Sequence, residues 1–215
     1  MGQIIAVVSQ KGGVMKSGLS TALAAAYAQS GWVTEIADMD VDQGTSTGRL
    51  SKRLRNGYDP LFTVRQFGNV SQALSKAAAC DLMIFDGAPH ATKATAAMAK
   101  AADLVLIPTG PSLDDMEPAV TLANQLHDVD GVPAERIRFV LALTNSSAAE
   151  IADAHTYLNK TRFGSIAGDV PKKAGFSRAH DLGLTLIECP YPSLREQART
   201  VVGNVITYLS GLGPK

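Results

Sequence analysis

Short apolar runs recur along the chain, separated by longer stretches with helical periodicity. Runs of strand length fall at residues 3–8, 32–37, 82–85, 103–107 and 138–143. Helical patterning occupies 17–29, 69–79, 92–101, 114–127 and 148–161. Strand and helix in strict alternation predict an α/β fold, a mostly parallel twisted sheet with helices on both faces, because each crossover between parallel strands lays a helix against the sheet. Residues 61–64 add a short strand. Beyond Gly164 the pattern weakens to a last short strand at 165–167, a short helix at 172–182 and a closing helix at 192–209 with Ser193 as its N-cap. In open sheets of this kind ligands bind beyond the carboxyl ends of the strands, so the residues there are the first candidates for chemistry.

The first strand runs directly into Ser9-Gln10-Lys11-Gly12-Gly13-Val14-Met15-Lys16-Ser17, and an alanine-rich helix follows. Glycines at this junction let backbone N–H groups approach phosphate oxygens, the helix adds its positive end, Lys16 supplies a cation and Ser17 a hydroxyl for Mg²⁺. The ordinary G-x-x-x-x-G-K-[ST] loop does not fit, because Gln10 and Met15 hold its glycine positions. The segment resembles instead the deviant Walker A loop of the ParA/MinD family, K-G-G-x-G-K-[ST], with Lys11 as the extra lysine. Met15 stands in for a glycine, and Gly18 for the usual second hydroxyl residue. Further strand ends are similar to the same family. Asp38-Met39-Asp40 looks like its switch I, although Val41-Asp42-Gln43 follows where Pro-Gln is usual. Asp86-Gly87-Ala88-Pro89 resembles its Walker B and switch II, and Pro111-Ser112-Leu113-Asp114 follows the fourth strand. Four motifs in order extend the resemblance over most of the chain.

The resemblance implies a P-loop ATPase fold in one domain over residues 1–215, closest to short plasmid-type ParA proteins without an N-terminal helix-turn-helix. ATP and Mg²⁺ are the implied cofactors. Gly12, Gly13, Val14, Met15 and Gly18 would cradle phosphate, Lys16 would hold the β- and γ-phosphates, and Ser17 would ligate Mg²⁺. Lys11 would reach across an ATP-dependent homodimer; a solvated loop lysine is the alternative. Asp40 would position or deprotonate the attacking water, Asp86 would hold a magnesium-bound water, and Asp38 would support both. Three clustered carboxylates need a compensating cation, whereas Asp42 and Asp114 read equally well as helix caps. Asn145 is either an adenine contact or a turn residue, Pro171 with residues 168–170 offers backbone to the base, and His90 is a loop histidine. If Met15 must adopt positive φ, the strain of about 1–2 kcal/mol would weaken binding about five- to thirtyfold. A slow ATPase and a regulator that has lost hydrolysis both fit that loop.

Composition narrows the partners. The 215 residues carry 20 basic and 20 acidic side chains, for a formal charge of zero, running +1, −3 and +2 over residues 1–60, 61–144 and 145–215. Whole-chain charge therefore gives no nucleic-acid signal. The family implies nonspecific DNA binding by the ATP dimer, with candidate contacts in Lys160, Arg162, Lys172, Lys173, Arg178, Arg195 and Arg199, and a partner protein that stimulates hydrolysis. Plasmid partition, or a related process such as conjugative transfer, is the implied role. No run reaches the ~18 apolar residues of a membrane span, and the first residues lack a signal peptide's apolar core, which predicts a cytoplasmic protein. A membrane-surface switch of the MinD type calls for a basic amphipathic C-terminal helix, yet residues 201–214 contain no Lys or Arg. Cys80 and Cys189 lie too far apart for a metal-binding pair and read as buried thiols, which argues against an iron–sulfur reductase; a ligase would need a substrate pocket that the motifs do not reveal.

Overall fold

The computed structural model describes residues 2–40, 44–89, 93–145 and 147–213. Seven strands, β1 Gln3–Val7, β2 Thr34–Asp38, β3 Thr63–Gln66, β4 Leu82–Asp86, β5 Leu104–Thr109, β6 Ile137–Thr144 and β7 Ser165–Pro171, form one parallel sheet in the order β3-β2-β4-β1-β5-β6-β7. The helices are α1 Lys16–Gln29, α2 Thr45–Arg55, α3 Val70–Leu74, α4 Lys93–Ala101, α5 Leu113–Asn124, α6 Ala148–Asn159, α7 Ala174–Asp181 and α8 Pro192–Gly211.

Alternation along each strand splits the core in two. Ile5 and Val7 of β1 face a layer built from α1, α7 and α8, with Leu23, Phe176 and Val201 among its members. Ile4 and Ala6 face the layer of α3 to α6, with Met98, Leu122 and Leu158. Period-2 side-chain placement buries both faces of a parallel strand, so its sequence reads as a continuous apolar run. Each large side chain so buried contributes about 1.5–3 kcal/mol.

Several boundaries differ from the sequence expectation. The patterned stretch 69–79 is two pieces, α3 and a short 3₁₀ turn at Ala77–Ala79. The last strand extends to Pro171. Ser193 is not the cap of the closing helix: Tyr191 holds that place and Pro192 takes the first helical position, where its fixed φ suits the helix and its missing N–H loses nothing. Ser147, on the other hand, caps α6 in a reciprocal arrangement with Glu150.

Helix α2 is absent from the hydrophobic pattern because polar side chains do its packing. Its buried members are Ser46 and Arg53, while Leu54 is exposed. The Arg53 guanidinium forms two parallel bonds of 2.9 Å to Glu188 and donates through Nε to the Asp59 carbonyl at 2.6 Å. Gly183 lies so close that a Cβ there would sit 2.1 Å from the Arg53 backbone nitrogen. Burial raises the Glu188 carboxyl, but bonds from Arg53 and from the Thr185 N–H outweigh it and hold the group below its ordinary range. Removing one member of such a pair leaves the other buried without its counter-charge. Arg53→Ala should therefore lower stability by about 3 kcal/mol, read as the urea midpoint, and combining it with Glu188→Gln should cost less than the sum of the single changes.

Candidate nucleotide-binding site

The loop between β1 and α1 lies at the carboxyl edge of the sheet, between the neighbouring ends of β4 and β5. It opens into a cavity of about 290 Å³, near the lower end of small-molecule sites. Gly12, Gly13, Val14, Met15, Ser17 and Gly18 form one wall, with Lys16. Asp40, Thr45 and Arg49 come from the switch segment and α2, and Pro171, Phe176 and His180 from β7 and α7.

Helix α1 begins at Lys16 without a side-chain cap among the described residues, and its first residues Lys16, Ser17 and Gly18 line the cavity. Lys16 is buried, and its Nζ makes a 3.2 Å bond to the Lys11 carbonyl. Burial lowers its pKa, while Asp86 and Asp40 pull the other way. A buried ammonium beside open helix N–H groups is a donor set that suits phosphate oxygens.

Met15 precedes the helix with φ 76° and ψ 14°, the left-handed conformation that the family's glycine would take freely. Its thioether lies over Gly18: a Cβ there would sit 2.7 Å from Met15 Sδ. The two departures from the family loop are thus one packing unit. Among the described residues, Met15 and Leu143 (φ 57°) are the non-glycine positions with positive φ, and both line this cavity. Strain of this kind concentrates at functional sites.

Among the strand-end carboxylates, Asp38 and Asp86 are engaged by donors of the chain itself. Asp38 and Asp86 are register partners on β2 and β4, both buried. Asp38 accepts from Thr47 N at 3.1 Å, Thr47 Oγ1 at 3.0 Å and Asp40 N at 3.2 Å, so it anchors the start of α2 and does not line the cavity. Asp86 accepts from Ser46 Oγ at 2.7 Å, lies 3.3 Å from Ser20 Oγ, and is bonded by the Ser17 hydroxyl. Burial pushes its carboxyl up, opposed by Ser46 and Ser17. Among the described residues no group of three His, Cys, Asp or Glu side chains is placed to hold a metal. Asp38 and Asp86 accept from hydroxyls and N–H groups behind the cavity wall, whereas Ser17 and Asp40 line the cavity itself.

Lys11 is folded back on its own chain. Its Nζ donates to the Asp114 carbonyl at 2.5 Å and to Asp115 Oδ1 at 2.9 Å, and Ser112 Oγ donates to Asp115 Oδ2 at 2.8 Å. Lys11 holds the Asp115 carboxyl below its usual range, against the effect of burial. Asn145 is exposed and is not part of the cavity wall, whereas Pro171 is. Asp42 and His90 lie outside the described residues. Of the proposed DNA contacts, Arg162 pairs with Asp128, Arg195 and Arg199 with Glu196, and Arg178 donates to Tyr191 Oη. Lys172 and Lys173 stand on the cavity rim. Both cysteines are buried free thiols.

Sequence reasoning missed Arg49, Phe176 and His180, which come from elements with no motif. Arg49 Nη2 lies 3.3 Å from His180 Nδ1. A guanidinium only donates, so Nδ1 accepts and the ring proton sits on Nε2, which is buried with no partner among the described residues. Burial, helped by Arg49 and Lys52, lowers the His180 pKa to about 3.

Residues 5–186 match the CobQ/CobB/MinD/ParA nucleotide-binding domain, and the chain belongs to that family. No curated protein sequence matches it. Among solved structures it is similar to the cell division ATPase MinD of Pyrococcus furiosus, at 15% identity over 96% of this chain and 99% of that one, with a TM-score of 0.74. A putative plasmid partition protein of Borrelia burgdorferi bound to AMPPNP gives 14% identity, 96% and 99% coverage and a TM-score of 0.72. MinD of Pyrococcus horikoshii complexed with Mg-ADP gives 12%, full coverage of both chains and 0.75. At these identities the likeness is one of fold.

In the unfolded chain His180 takes a proton near pH 6.5, while in the folded chain it stays neutral to about pH 3. The unfolded state binds the extra proton between those values, so stability should fall as pH drops through that window, by up to about 1.4 kcal/mol per pH unit. His180→Gln should flatten this slope in urea unfolding at pH 7, 6 and 5.

Proposed function

We propose that the protein is an ATP-dependent switch of the ParA/MinD type, which binds ATP with Mg²⁺ in the loop cavity and associates as a homodimer in that state. The observation that carries the reading is the buried Lys16 at the uncapped start of α1, next to the Ser17 hydroxyl and Asp86. Family membership and the nucleotides named for similar structures support it. In this reading Lys16 neutralises the terminal phosphates, Ser17 and Asp40 offer oxygen to Mg²⁺, and Asp40 orients the attacking water. Bound Mg²⁺ supplies further neutralisation of phosphate charge. Asp86 holds the Ser17 and Ser46 hydroxyls in place.

The cellular role we favour is plasmid DNA partition or a related plasmid process such as conjugative transfer, with nonspecific DNA and a partner protein that stimulates hydrolysis. Among the described residues no helix is long and apolar enough to cross a membrane. A second reading, a nucleotide-binding regulator without turnover, is favoured by Met15, whose strained backbone and overlying thioether occupy the loop where phosphate positioning matters most.

A fluorescent ATP analogue with Mg²⁺ should bind at micromolar or weaker affinity, and Lys16→Ala should abolish binding; binding unchanged in that variant would sink the reading. Met15→Gly should raise affinity about five- to thirtyfold by removing the strain. Turnover rising with it would mark a slow ATPase, and turnover staying at zero would mark the regulator.

Dimerisation across the nucleotide would require Lys11 to leave Asp115. That ion pair is partly exposed, and such pairs are worth at most about 1 kcal/mol. Asp115→Asn should therefore strengthen ATP-dependent dimerisation by up to about fivefold, measured by light scattering against protein concentration. An unchanged dimer fraction would show that Lys11 is not held back by this contact.

A further inference from the structure

Arg49 lies one helical turn before Arg53 on α2, and the contrast between the two is informative. Arg53 is matched by Glu188. Arg49 Nη1 instead donates to Thr21 Oγ1 at 3.2 Å and its Nη2 to His180 Nδ1 at 3.3 Å, both neutral acceptors. Among the described residues no carboxylate lies within ion-pair distance of it. A guanidinium has five N–H donors, so several have no partner among the described residues. Burial draws its pKa down to about 10, with Asp86 opposing, which leaves the group charged at neutral pH. A half-buried cation whose opposing charge, Asp86, lies beyond ion-pair distance favours the arrival of an anion.

Its position indicates which anion. Arg49 lines the same cavity as Lys16 and Ser17, and a Cβ on Gly18 would lie 3.6 Å from its Nη1. The guanidinium therefore borders the first turn of α1, where the family loop carries a second hydroxyl and this chain has Gly18. Lys16 and Ser17 stand towards Asp40 and Asp86, the end suited to terminal phosphates and metal. Arg49 stands towards α7, where Phe176 and nearby Pro171 give the cavity an apolar wall suited to a base.

We propose that Arg49 is a nucleotide-binding residue whose guanidinium, bordering the first turn of α1, takes the phosphate nearest the ribose, with His180 and Thr21 positioning it. The inference rests on the nucleotide reading above and adds a contact that the loop motif does not contain. A charge-assisted contact of this kind is worth tenfold or more in affinity.

The test compares ADP with a non-hydrolysable ATP analogue. Arg49→Ala should weaken both by the same factor, about tenfold or more, with Arg49→Lys in between and the nucleotide-free fold retained by circular dichroism. In the unaltered protein the Arg49 Nε–Hε resonance should shift on ADP titration with the midpoint of the binding curve, a response that needs no variant to fold. His180→Ala should give a smaller loss than Arg49→Ala; an equal or larger one would make His180 the contact and overturn its positioning role. Binding of both nucleotides within twofold of the unaltered protein, or a resonance unmoved at saturation, would overturn the proposal. A loss confined to the ATP analogue would overturn the assignment to the ribose-side phosphate. If the unaltered protein binds neither nucleotide and Lys16→Ala is no different, the nucleotide reading itself fails and this contact with it.

Discussion

Asp86 ends β4, which lies between β1 and β2, buried at the carboxyl edge of the sheet, and its carboxylate gathers hydroxyls from two helices. A buried carboxylate is tolerable only when its lone pairs are taken up. Here Ser17 and Ser20 of α1 and Ser46 of α2 do so. That requirement fixes where both helices start. With the adjacent Asp38 gripping Thr47, it docks the first turn of α2 against the nucleotide loop. The places of Asp40, Thr45 and Arg49 in the cavity wall then follow from this one desolvated acid and its partners.

Much of this was legible in the sequence, for a physical reason. Strands buried on both faces must be apolar throughout, so β1, β4, β5 and β6 appear as unbroken runs, and the loop between β1 and α1 carries residue types that phosphate chemistry needs. Helix α2 was not legible because its contacts are polar and distant in sequence. Arg53 meets Glu188, and Arg49 meets His180, across more than a hundred residues. A hydrophobic period cannot encode such pairs. The hydrogen-bond partners of Asp38 were not legible for a related reason: an aspartate at a strand end reads alike as metal-site residue or helix anchor until its acceptor bonds are counted. Asn145, readable from sequence as an adenine contact or a turn residue, is exposed and is not among the residues that line the cavity.

Two cations on this surface are held in contrasting ways. Lys11 is clamped by a carbonyl and a carboxylate on α5, a partly exposed arrangement that salt and competing anions weaken. Lys16 is buried, with one long bond, to a carbonyl, among the described residues. The first is readily released and the second is ready for a ligand, which is the division of labour expected of a loop that must both bind and report on what it has bound.

Met15 and Gly18 carry a historical consequence. Because the thioether fills the space above Gly18, a larger residue at position 18 is disfavoured while methionine is present, and tolerated once a glycine replaces it. The two positions are therefore epistatic. A lineage moving between this loop and the glycine-and-hydroxyl version meets the least rearrangement when position 15 changes first on the way towards the hydroxyl, and last on the way back. Chains that combine a bulky residue at the first position with a threonine at the second should be rare among its relatives.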